Sequence, residues 1–221
     1  MPQHIIHVYF VPGLAAGKEI FRNIKLPKNR FKTHIIEWLI PEKNETIANY
    51  SKRMAAMVIE KNAILIGVSF GGVVVQEMSA FLDLKKLIII SSIKSKHELP
   101  LRLKIVRKLK AYYLMPTRLV VKSKDLTKLA IGPRSKKRLK IYDEYLHVRN
   151  ERYLNWAIKN MVCWNREISN PNVYHIHGNE DVVFPIKNLK TKYIIDGGTH
   201  IMLLRKGHQI TDVIIEIIEE N

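Results

Sequence analysis

Apolar residues recur along the chain in short blocks separated by turn formers, and their periodicity switches between strand and helix patterns. His4 to Phe10 is rich in Ile, Val and aromatics and stops at Val11-Pro12-Gly13, the pattern of a strand ending in a turn. Thr33 to Leu39 reads as a second strand, stopped by Pro41, and Thr46 to Lys61 as a helix capped by Asn44 or Thr46. Ala63 to Val68 is an apolar run of strand length, followed by a largely apolar helix from Gly72 to Phe81. Lys86 to Ile90, Asn172 to His177 and Lys192 to Ile195 read as further strands. Gly207 to Glu219 reads as a helix with Ile210, Val213, Ile214, Ile217 and Ile218 on one stripe. Strands that are apolar on both faces and alternate with helices predict an α/β fold, a mostly parallel central sheet flanked by helices.

Between Lys94 and Arg166 this alternation stops. Leu101, Ile105, Leu109 and Tyr112 fall at helical spacing, while Pro116 and Gly132-Pro133 break the segment into helical pieces. Charge singles out the same stretch. The chain carries a formal +17, and residues 94–166 hold 20 Lys and Arg against 5 Asp and Glu. The expected organisation is a single domain, with 1–93 and 167–221 as the core and 94–166 as a basic helical insertion.

At 221 residues and 47% hydrophobic, the chain can bury a sizeable core, which argues against intrinsic disorder. The one cysteine, Cys163, excludes an intramolecular disulfide, and beside Trp164 in a helical stretch it reads as a core residue. No apolar run reaches the roughly 20 residues of a transmembrane helix. Met1-Pro2-Gln3-His4 lacks the features of a signal peptide, so the expected location is cytoplasmic.

Gly67-Val68-Ser69-Phe70-Gly71 matches G-x-S-x-G between a predicted strand and a predicted helix. A serine on such a sharp turn projects its hydroxyl from the sheet edge, and the flanking glycines leave room where a Cβ would clash. The helix starting there aims backbone N–H groups and a partial positive charge at the site. The plainer alternative is a strand–helix turn with a buried serine.

With Gly72 extending it, this elbow resembles that of the α/β-hydrolase superfamily, whose triad runs Ser, acid, His along the chain. Two late loops resemble the same family: His177-Gly178-Asn179-Glu180-Asp181-Val182-Val183-Phe184-Pro185, and Gly197-Gly198-Thr199-His200. The resemblance implies Ser69 as nucleophile, His200 as base and Asp181 as the orienting acid. Asp181 could instead cap the helix after Pro185, Glu180 could compete as the acid, and Asp196 could merely pair with a nearby base. His208, in the first turn of the last helix, reads as surface. For the oxyanion hole, the resemblance implies the backbone N–H groups of Phe70 and of Leu14 in Pro12-Gly13-Leu14, where the family often has His-Gly. The chain is small for this family, and one or two of its N-terminal strands are expected to be missing.

The implied function is hydrolysis of a carboxylic ester or thioester through an acyl-serine, without cofactor or metal. Residues 94–166 stand where the family commonly places a lid. Leu99, Leu101, Leu109, Tyr112, Tyr113, Leu114 and Met115 offer an apolar lining for an acyl pocket, and the basic exterior could dock an acidic carrier protein or an anionic surface. One alternative is a catalytically silent binding protein on the same fold, and another is a carrier-protein- or membrane-docking protein acting through its basic lid. Nucleic acid is not an expected partner, because aromatic interleaving is sparse and no binding motif is present. His175-Ile176-His177 invites a metal reading, but Asn179 stands where a metal-binding Asp would be needed, and the two histidines are assigned to opposite strand faces.

Overall fold

A strand that is buried on both faces has no use for polar alternation, and β3 (Ala63–Val68) is buried at all six positions. Each of its large aliphatic side chains contributes about 1.5–3 kcal/mol relative to exposure. β3 lies inside a six-stranded parallel sheet with β1 (Ile6–Val11), β2 (Phe31–Ile35), β4 (Leu84–Ile90), β5 (Val173–Gly178) and β6 (Tyr193–Ile195), in the order β2-β1-β3-β4-β5-β6. The computed structural model describes residues 5–114, 117, 145 and 148–220. Among these, the helices are α1 (Ile47–Ala55), α2 (Phe70–Met78), α3 (Leu101–Lys108), α4 (Glu151–Cys163) and α5 (Leu203–Glu219).

Alternate residues of each strand feed two separate cores. Tyr9, Leu65, Leu87 and Ile89 meet α1, α2 and α4 through Tyr50, Met54, Val74, Tyr153 and Ala157. Val8, Phe10, Ile66 and Ile88 meet α5 on the other face through Leu203, Ile210, Ile214 and Ile217. The apolar stripe read in the last helix is therefore its buried face, although Val213 is only partly buried. The element begins at Leu203 but kinks at Lys206 (φ −111°, ψ 20°), so its long regular part starts at Gly207, as the sequence pattern has it. A Cβ at Gly207 would come within 2.4 Å of the Asn23 carbonyl oxygen.

The boundaries that differ most from the sequence pattern are those of β2 and α1. β2 spans Phe31–Ile35 rather than 33–39, because Phe31 is buried and pairs with Ile6, whereas the chain leaves the sheet after Ile36. α1 ends at Ala55 rather than Lys61: Met57 and Ile59 continue the apolar pattern but lie exposed in the turn leading to β3.

The lining expected from residues 94–166 is corrected more strongly. Helical spacing of Leu101, Ile105 and Leu109 is present in α3 and its C-terminal turn, but that face points outward, with Leu101 72% and Leu109 70% exposed. The inward contact is made by Leu103. Tyr113 and Leu114 are exposed as well, and Leu99 is buried in the core. Met115, Pro116 and Gly132-Pro133 lie outside the described residues.

The chain passes from β1 outward to β2 and then returns to form β3 on the other side of β1. In open parallel sheets such a reversal leaves a crevice at the carboxyl ends of the strands, where ligands bind. The loop after β1 and the turn after β3 meet in that crevice.

Candidate active site

Ser69 occupies the turn between β3 and α2 with φ 53° and ψ −117°, a backbone region that costs a non-glycine residue about 1–3 kcal/mol. The surroundings hold it there. Its N–H donates to the Ile90 carbonyl, and its own carbonyl accepts from Ser92 Oγ and Gly72 N. Its hydroxyl caps no helix amide and stays free for other work. A Cβ on Gly67 would lie 2.3 Å from the Gly71 oxygen, and one on Gly71 would lie 2.2 Å from the Pro12 oxygen. The elbow glycines thus serve close backbone approach, as the motif requires, and Gly71 seats the elbow against the loop after β1.

His200 follows β6 and faces the elbow. Its Nδ1 lies 2.8 Å from Asp181 Oδ2 and its Nε2 lies 3.0 Å from Ser69 Oγ. An ionised carboxylate only accepts, so Nδ1 carries the proton and Nε2 accepts from the serine hydroxyl. Residues 131 and 19 positions from His200 are thereby joined in one hydrogen-bond chain.

Asp181 is wholly buried at its side chain. Its Oδ1 accepts from the N–H groups of Val183 and Phe184, so it caps its own turn while Oδ2 holds the imidazole. Burial pushes the carboxyl pKa up, but the hydrogen bond and charge of His200, with Phe184 N–H and His177, outweigh it and hold the group below the usual carboxylate value. Glu180 is exposed, and Asp196 accepts from Asn179 Nδ2. His208 is exposed on α5.

His175 and His177 share one strand face, which corrects the sequence reading: residues two apart in a strand point the same way. His177 Nε2–H donates to the Phe184 carbonyl at 2.8 Å and lies 3.4 Å from Asp181 Oδ2. Its Nδ1 accepts from His175 Nε2–H at 3.1 Å. Burial lowers the pKa of both imidazoles; His177 and Lys94 add to the effect at His175, while at His177 burial, with His200, outweighs the upward pull of Asp181 and of the hydrogen bond to the Phe184 carbonyl. They form a neutral buried layer beneath Asp181. Among the described residues, no group of three or more His, Cys, Asp or Glu is arranged to hold a metal.

Gly13 backs onto the elbow: a Cβ there would lie 3.6 Å from Ser69 Cβ. Among the described residues, the Leu14 N–H donates no hydrogen bond. The Phe70 N–H, at the first position of α2, has no intrahelical acceptor. Over this region lies an aromatic group absent from the sequence reading. Trp38 stacks on Phe70 at 5.5 Å and approaches Tyr153 at 5.3 Å, and Trp156 meets Phe70 edge-on at 5.9 Å. Asn179 was also missed as a brace. It donates to Asp196 and accepts from Gly197 N–H, tying the acid loop to the histidine loop. Its place inside the His-Gly-x-x-Asp loop was the available signal.

No family model matches the sequence, and no curated protein aligns with it significantly. Solved structures do match. An epoxide hydrolase of the alpha/beta hydrolases superfamily, from metagenomes of hot environments, superposes with a TM-score of 0.68 at 11% identity, over 100% of this chain and 93% of that one. A thermophilic esterase from Thermogutta terrifontis gives 0.66 at 12%, over 97% and 89%. A bromoperoxidase from Bacillus anthracis gives 0.68 at 10%, over 99% and 93%. The protein has the α/β-hydrolase fold.

Proposed function

We propose that the protein is a serine hydrolase that cleaves a carboxylic ester or thioester through an acyl-serine. The observation that carries this reading is the continuous chain from Asp181 Oδ2 through His200 to Ser69 Oγ, with links of 2.8 and 3.0 Å. The fold alone does not choose the reaction, since its structural neighbours include an epoxide hydrolase, a bromoperoxidase and an esterase.

Ser69 Oγ attacks the carbonyl carbon as His200 Nε2 takes its proton. Asp181 stays ionised and stabilises the imidazolium. The oxygen of the tetrahedral intermediate is bound by the N–H groups of Phe70 and Leu14 at the positive end of α2. His200 returns the proton to the departing alcohol or thiol, leaving an ester on Ser69. Water, deprotonated by His200, attacks that ester, and the acid product leaves with the serine hydroxyl restored.

Phe70 and Trp156 supply an apolar wall for the acyl group. In this reading residues 94–166 are an insertion into the core made by 1–93 and 167–221, and its described helices α3 and α4 lie beside the active site. Two contacts support it. Arg102 of α3 donates to the Val182 and Val183 carbonyls beside Asp181, and Trp156 of α4 touches Phe70.

The test is a p-nitrophenyl ester series from C2 to C12 with wild type beside Ser69→Ala, together with a fluorophosphonate probe. Turnover and labelling that both vanish in Ser69→Ala are the expected result. No turnover of any ester and no labelling of wild type overturns the reading.

A further inference from the structure

We propose that Trp38 is a positioning residue for the oxyanion hole, its indole N–H fixing the peptide that presents the Leu14 N–H. The inference rests on the serine-hydrolase reading and deepens it. The C=O of Gly13 and the N–H of Leu14 belong to one trans peptide unit, so they point in opposite directions across a rigid plane. Trp38 Nε1–H donates to that carbonyl at 3.0 Å, and Ala16 N–H donates to it at 3.0 Å. Both acceptor positions of Gly13 O are used. The peptide plane is thereby pinned, and the Leu14 N–H is turned away from the indole. A carbonyl that accepts hydrogen bonds also polarises the N–H of its own peptide, strengthening it as a donor.

The loop needs such an anchor. Ala16 N–H to Gly13 O closes a four-residue turn whose third residue, Ala15, has φ 61°. That is the conformation a type II turn demands and one in which glycine is usual. The indole is itself held in place. It stacks on the Phe70 ring with an interplanar angle of 26° and leans on the buried Tyr153. Phe70 carries the other proposed donor N–H. One side chain therefore touches both halves of the hole: its N–H holds the Leu14 peptide, and its ring lies on the residue after the nucleophile.

The alternative role for Trp38 is as a wall of the acyl pocket, and the two roles separate in kinetics. Two variants remove the N–H while keeping an aromatic ring: Trp38→Phe, and site-specific replacement of Trp38 by its benzothiophene analogue, which keeps the ring shape. Each is compared with wild type on its best p-nitrophenyl ester, in affinity for a boronic acid that forms a tetrahedral adduct with Ser69, and in the amide resonance of Leu14.

Complete removal of an oxyanion donor costs about 10²–10³ in kcat, so loosening one through its anchor predicts a fall of about tenfold. KM should stay within about twofold, because a ground-state ester makes little use of the hole. Boronate affinity should fall in parallel with kcat, and the Leu14 amide proton should move upfield. A rise in KM with unchanged kcat assigns Trp38 to the pocket wall and overturns the proposal. An unmoved Leu14 resonance in both variants overturns it independently of turnover. Failure of the hydrolase reading shows separately, as absent wild-type turnover and absent probe labelling.

Discussion

The turn around Ser69 and helix α3 use their residues in opposite ways. At the turn, Gly67 and Gly71 stand where any Cβ would strike backbone within 2.3 Å, and both the N–H and the carbonyl of Ser69 are bonded to neighbouring strands and turns. In α3, Leu101 and Leu109 face solvent, and the helix is tied down by Arg102 to the Val182 and Val183 carbonyls and by Arg107 to the Trp164 carbonyl. The proposed nucleophile sits where sterics leave the sequence almost no choice. The segment beside it is anchored at a few points and turns its outer surface to solvent.

The largest effect that would sharpen this contrast comes from Asp181→Asn. The amide offers His200 Nδ1 a donor instead of an acceptor or forces a different rotamer, so the imidazole loses its working tautomer. An activity loss of about 10⁴-fold is expected on the best ester, with the fold retained by circular dichroism. Activity within tenfold of wild type would break the proposed role of the acid.

Next is Gly71→Ala. The new methyl must move the Pro12 carbonyl, which it would otherwise meet at 2.2 Å. Overpacking against backbone predicts a loss of about 3 kcal/mol in urea unfolding. A loss under 1 kcal/mol would mean that the turn is softer than its geometry implies.

Proton uptake tests the buried side of the contrast. His175 and His177 have pKa values lowered from 6.5, chiefly by burial, and α3 has no such group. In the unfolded chain both titrate near 6.5, so below that pH the unfolded state binds protons the folded state refuses. Stability therefore falls as pH drops from 6.5, by about 1.4 kcal/mol per pH unit for each histidine until its folded pKa is reached. Asp181, with its lowered pKa, acts in a more acid window: its contribution is present above the unfolded value near 3.8 and is lost as pH falls through the folded one. Urea midpoints at pH 7.5, 6 and 5 measure the upper window. His175→Gln, whose amide N–H can replace the imidazole donor to His177, should flatten the slope.

The smallest effect is expected at Leu109→Ser. A residue 70% exposed should change stability by less than about 0.5 kcal/mol and leave kcat unchanged. A loss above 2 kcal/mol would mean that the outer face of α3 is a packed surface after all.

Much of this was legible in the chain itself. The Gly-x-Ser-x-Gly turn, the Asp181 loop and the His200 loop could be read because each is a local solution to a local steric or hydrogen-bonding demand. The parallel sheet could be read because strands buried on both faces lose polar alternation. Other features had no local signature. Trp38 belongs to a stretch that continues a strand pattern, and only the departure of the chain after Ile36 brings its indole to the Gly13 carbonyl. Period 3.6 announced α3 but not which face meets the core. Leu101, Ile105 and Leu109 form as regular a stripe as Ile210, Ile214 and Ile217, yet only the second stripe is buried. Sequence alone determined the elements, their order and the residue types able to do acyl chemistry, because these depend on neighbours along the chain. Which helix face is buried, which carbonyl Trp38 holds and how His200 comes within 3.0 Å of a serine 131 residues away were decided by tertiary structure. Those outcomes depend on groups that only the packed sheet brings together.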